Sequence, residues 1–176
     1  MFIVLLVALF VIVIALVTGK ALEHVDRKRD QVERSYKNYK NILMKRCKAI
    51  HEKRDQLGRV FDMNKEELEA IDDGCDKITF LRLTRKKLTR IDDSITYHLQ
   101  HVMDQQDPQG KVQKDLYHLI EDYESELTDA RQNYVVAAEG FNESIKTSPL
   151  RFFKSLFDPI WPMAHNGERE QRQGFP

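Results

Sequence analysis

The chain has 176 residues, with 28 Lys and Arg balanced by 28 Asp and Glu. A neutral chain lacks the basic footprint that phosphate backbones need, which excludes nucleic acid as its main partner. Charged residues make up 32%, against seven Gly and five Pro, a composition that suits long solvated helices rather than sheets.

Residues 1–17 (MFIVLLVALFVIVIALV) form an unbroken apolar run, extended by Thr18 and Gly19, and Lys20 is the first charge. As a helix this run reaches roughly 26–28 Å, close to a hydrocarbon core of about 30 Å. A cleaved signal peptide would carry an early positive charge and a shorter apolar core. The expectation is therefore an uncleaved transmembrane anchor over residues 1–19. Lys20, Arg27, Lys28, Arg29, Arg34 and Lys37 follow it. Lys and Arg beside a span are retained in the cytoplasm, so the expected location is the cell (inner) membrane, single-pass, with a cytoplasmic domain.

The next stretch predicts a helix over about residues 20–57. Val25, Val32, Tyr36, Tyr39, Leu43, Ile50 and Leu57 make one apolar stripe, interrupted by Arg29 and Arg46, whose aliphatic stems can still pack. Residues 58–64 read as a break. Asn64 with Glu67 forms a capping-box pattern for a second helix. Leu68, Ile71, Ile78, Leu81, Leu88, Ile91, Ile95, Leu99 and Val102 carry that helix to about Gln106, continuous or bent near Asp73-Gly74. Asp107-Pro108-Gln109-Gly110 is the strongest turn signal.

A third helix over about residues 111–147 has the best pattern, from Leu116, Ile120, Tyr123 and Leu127 to Tyr134, Phe141 and Ile145. Ser148-Pro149 restarts a short amphipathic helix over residues 150–157, and residues 163–176 read as a disordered polar tail. The fold expected is all-α: a transmembrane helix, then an elongated antiparallel bundle of three long helices with a short C-terminal helix, over residues 20–162. Tracing three helices up, down and up from the anchor places the Pro108 turn on the membrane side. The C-terminal aromatic segment then lies at the far end, roughly 50 Å away.

Few residues suggest chemistry. The seven glycines are isolated, whereas a phosphate cradle needs them clustered; neither an enzyme, a cofactor nor a small-molecule substrate is expected. His98 and His101 sit one turn apart and His118 lies beyond the turn. They are the candidate metal ligands, although the same spacing fits a solvated face. The basic group Arg82, Arg85, Lys86, Lys87 and Arg90 reads as a solvated face paired locally with Asp92 and Asp93. The acidic group Glu121, Asp122, Glu124, Glu126 and Asp129 reads likewise. Cys47 and Cys75 match no metal spacing and stay reduced in a cytoplasmic domain; a disulfide between them is the lesser alternative. Phe152, Phe153, Leu156, Phe157, Ile160 and Trp161 form the aromatic cluster, either a cap on the bundle or a partner-binding surface.

Several local features resemble the LemA family of bacterial membrane proteins. They are Val32-Glu33 with Tyr36, Leu43 and Lys45-Arg46; Asp107-Pro108 and Glu124; Ala130-Arg131 with Tyr134 and Phe141-Asn142; and Ser148-Pro149 before Phe152-Phe153 and Leu156-Phe157. Ile50-His51-Glu52 stands where that family usually has Ile-Pro-Asn, which marks a divergent member. The resemblance implies an antiparallel helical fold in a bacterial membrane protein and no catalytic activity. The function expected is a membrane-anchored scaffold or adaptor that uses the bilayer through residues 1–19 and holds a membrane or membrane-associated protein. The alternative is a metal- or ligand-sensing bundle.

Overall fold

The computed structural model describes residues 1–104, 110–147 and 159–160, with side chains left out at residues 2–4. The expected Pro108 turn, the short helix over 150–157 and the tail over 163–176 lie outside the described residues. The described residues are all-α, as the composition and periodicity predict. Four helices follow in order: α1 Phe2–Val60, α2 Lys65–Phe80, α3 Arg85–Asp104 and α4 Lys111–Thr147.

Helix α1 is one uninterrupted helix of 59 residues. Its N-terminal part contains an 18-residue window of mean hydropathy 2.7, none of it buried within the protein. This stretch is long and apolar enough to span a membrane. Beyond Lys20 the stripe takes over, and Val25, Val32, Tyr39, Leu43, Ile50 and Leu57 are all buried.

Helix α1 ends in a Schellman-type turn. Met63 N–H donates to the Gly58 carbonyl at 3.1 Å, and Asp62 takes the left-handed conformation, φ 47°. The capping box forms as the sequence predicts. Asn64 Oδ1 accepts from Glu67 N–H at 2.8 Å, and Glu67 Oε2 accepts from Asn64 N–H at 3.2 Å.

The expected second helix is divided. Leu81 turns to extended geometry (φ −104°, ψ 145°), and α3 starts after Thr84, whose carbonyl accepts from Leu88 N–H at 2.9 Å. The apolar register runs through this break unchanged, so periodicity alone does not show it. Helix α2 then folds back on α3. A Cβ at Gly74 would lie 2.9 Å from Ile95 Cγ1 and 3.4 Å from Ile91 Cγ2. The missing side chain is what lets the two helices approach. Gly74→Val is expected to destabilise the fold by about 1–3 kcal/mol through overpacking, read from urea unfolding; an unchanged midpoint would show that the seam has slack.

The chain forms two compact units. One joins Met1–Tyr36 with the part of α4 from Asn133 onward; the other is built from Lys37–Gln132. In the first unit α4 runs antiparallel to α1. Tyr36 and Tyr134 pack with ring centroids 5.8 Å apart, and Gly140 passes beside Lys28. Tyr134, Ala138 and Phe141 are buried with Val25 and Val32. Asn142 brackets Ile160, donating to its carbonyl at 2.6 Å and accepting from its N–H at 3.0 Å.

In the second unit, contacts Arg54–Asp72 and His51–Asp76 set α2 antiparallel to α1. Contacts from Asp92 to Tyr39 and from Thr96 to Arg46 then set α3 parallel to α1. This corrects the up-down-up trace. The extra reversal at residues 81–84 sets α3 parallel to the part of α1 it packs on, where the trace had it antiparallel. Within the first unit, α4 passes Lys28 of α1 in its last turns.

Candidate functional site

The chemically distinctive place in the described residues is a buried charge cluster inside the second unit. Its centre is Arg46 on α1, at a stripe position between Leu43 and Ile50. The side chain is 1% exposed, so the whole guanidinium group is buried and not only its stem. Arg46 Nη2 pairs with Asp92 on α3, which is itself 1% exposed. Arg46 Nη1 pairs with Glu124 on α4 and donates to Thr96 Oγ1 at 2.9 Å. The Thr96 hydroxyl in turn donates to Glu124 Oε1 at 3.1 Å.

Asp92 also accepts from the Tyr39 hydroxyl and from Arg131 Nη2 at 2.6 Å. Arg131 reaches Asp93 Oδ1 at 3.1 Å and lies over the Tyr39 ring, 5.9 Å from its centroid. Three carboxylates thus face two guanidinium groups across α1, α3 and α4. Arg46 Nε and Arg131 Nε are buried without a hydrogen-bonding protein partner.

The electrostatics follow from this geometry. Burial works against the charge on Arg46, yet Asp92 and then Glu124 outweigh it and raise its pKa. Arg131 behaves alike: burial opposes its charge, and Tyr39, Asp92 and Asp93 restore it. Tyr39 is pushed well above its ordinary value, first by burial and then by the Asp92 charge. A raised folded pKa means that the folded state holds an extra proton between the unfolded and folded values. That stability is complete below about pH 10, the unperturbed tyrosine value, and is lost as pH rises through the folded value. Urea unfolding above about pH 10 is expected to show a steeper loss of stability than in Tyr39→Phe; equal slopes would remove Tyr39 from the pH dependence.

The cluster offers no exposed nucleophile. A neighbouring gap lined by Arg46, Ile50, Leu99, Ile120 and Tyr123 has a volume of about 10 Å³, room for nothing larger than a water. The arrangement therefore ties three helices together.

The residues singled out from the sequence fall elsewhere. His98 and His101 flank Tyr97, at 5.6 Å edge-on and 6.0 Å stacked. His118 Nδ1 lies 3.6 Å from Glu121. Among the described residues, no three His, Cys, Asp or Glu are placed to hold a metal. Phe152, Phe153, Leu156, Phe157 and Trp161 lie outside the described residues. Two sequence readings need correction: Asp92 and Glu124 do not sit on solvated faces. Asp92 is buried, and Glu124, with a side chain 22% exposed, is tied to Arg46.

Cys47 and Cys75, far apart in sequence, are both buried free thiols. Comparison with protein-family models, curated proteins and solved structures finds no match to this chain.

Proposed function

We propose that this chain is a membrane-anchored, non-catalytic helical adaptor that holds a protein partner at the bacterial cell membrane, in the manner of a divergent LemA-family protein. The observation that carries the reading is helix α1, which leads from an unburied apolar stretch into the packed helices without a break. A bilayer is the natural cover for that stretch. Lys20, Arg27, Lys28, Arg29, Arg34 and Lys37 after it favour a cytoplasmic domain.

The LemA reading is supported by where the shared residues act. Arg46 and Glu124 pair, Arg131 joins the same cluster, Tyr36 packs on Tyr134, and Asn142 holds Ile160. The partner-binding surface in this reading is Phe152, Phe153, Leu156, Phe157 and Trp161.

The test is truncation after Pro149. Crosslinking in native membranes should capture a protein partner through residues 152–161 of the full chain. The truncated chain should lose that capture while keeping helicity and membrane insertion. Retained capture would end the assignment of this surface.

A further inference from the structure

We propose that Cys47 and Cys75 form a redox-active dithiol that closes into a disulfide between α1 and α2 when a low-molecular-weight disulfide accepts its electrons. The pairing is set by the α1–α2 seam. Arg54 binds Asp72, and His51 Nδ1 and Nε2 lie 3.3 Å from Asp72 and Asp76 respectively. In antiparallel helices those contacts bring the turn before His51, which holds Cys47, opposite the turn holding Cys75. Both thiols are free and each is 1% exposed.

The two sulfurs differ in character. The neighbouring Cys75 thiol lowers the Cys47 pKa; burial opposes this, and the Arg46 charge adds to the lowering. Cys75 is pushed up by the Cys47 thiol and by burial. Cys47 is thus the thiolate that attacks, and Cys75 the thiol that resolves. In the first step Cys47 loses its proton and bonds to one sulfur of the small disulfide. That S–S bond breaks, and the departing thiolate takes up the proton. In the second step Cys75 attacks the Cys47 sulfur and expels the second small thiolate, which takes the Cys75 proton. Two protein thiols are oxidised to one disulfide, and the small disulfide is reduced to two thiols.

Access comes from α2. It is a 16-residue helix that buries Ile71, Gly74, Cys75 and Ile78, and lifting it uncovers both sulfurs. Oxidation then pins α2 to α1.

The test uses the purified full chain in detergent micelles, equilibrated with glutathione across a range of reduced-to-oxidised ratios, alkylated and mapped by mass spectrometry. The expected product is one intramolecular Cys47–Cys75 crosslink, lighter by two hydrogens and reversed by dithiothreitol. It closes a loop of about 28 residues, so the melting midpoint should rise by about 5–10 °C. Cys75→Ser should stall as a glutathione adduct on Cys47, whereas Cys47→Ser should form its adduct at least about tenfold more slowly. Three results on the natural chain would overturn the proposal: a persistent glutathione adduct, crosslinks only between chains, or no oxidation at any ratio. None of these depends on a variant folding.

Discussion

Asp92→Ala is expected to destabilise the fold by about 3–5 kcal/mol, the usual range when one partner of a buried ion pair is removed. Asp92 accepts from Tyr39, Arg46 and Arg131, and all three lose their shared acceptor at once. The Arg46 side chain is 1% exposed and that of Arg131 13%, so water cannot replace the lost carboxylate without opening the core. The Coulomb attraction forfeited and the desolvation left uncompensated act in the same direction. Urea unfolding of the full chain in micelles measures the effect. A loss below about 1 kcal/mol would mean that the cluster is hydrated and behaves like surface ion pairs.

The second large effect concerns the N-terminal stretch. Deleting residues 1–19 is expected to move the chain from the membrane pellet to the supernatant while leaving its helical circular-dichroism signal nearly intact. No residue of the apolar window is buried against the rest of the protein, so its removal takes no packing from the core. A gentler version is Leu9→Arg, which places a charge within the apolar stretch at a cost of about 2.5–3.5 kcal/mol if it lies near the bilayer centre. Continued sedimentation with membranes after an alkaline carbonate wash would show that some other part of the chain holds it there.

Much of the fold was legible from periodicity. The stripe of Val25, Val32, Tyr39, Leu43, Ile50 and Leu57 is the buried face of α1. The Asn64–Glu67 pattern starts α2 where expected. Both signals are local, and local spacing suffices to read them. The break at residues 81–84 was hidden because Ile78, Leu81 and Leu88 keep helical register across it; Thr84, whose Oγ1 accepts from Lys87 N–H at 3.4 Å, was the overlooked start signal. The charge cluster was harder to read. An arginine on an apolar stripe looks like an interruption until its partners, Asp92 and Glu124, arrive from helices far along the chain. The Cys47–Cys75 pairing is equally non-local and needs the direction of α2.

The charge cluster also bears on which alignments of the helices are allowed. Apolar stripes repeat, so two helices joined only by Leu, Ile and Val can slide by a heptad and find similar packing. Arg46 cannot slide. One heptad along α3 in either direction, Asp92 gives way to Arg85 or Leu99, and the buried guanidinium would face a like charge or hydrocarbon. The cluster thus acts as an index mark, rejecting every offset of α1, α3 and α4 except the native one.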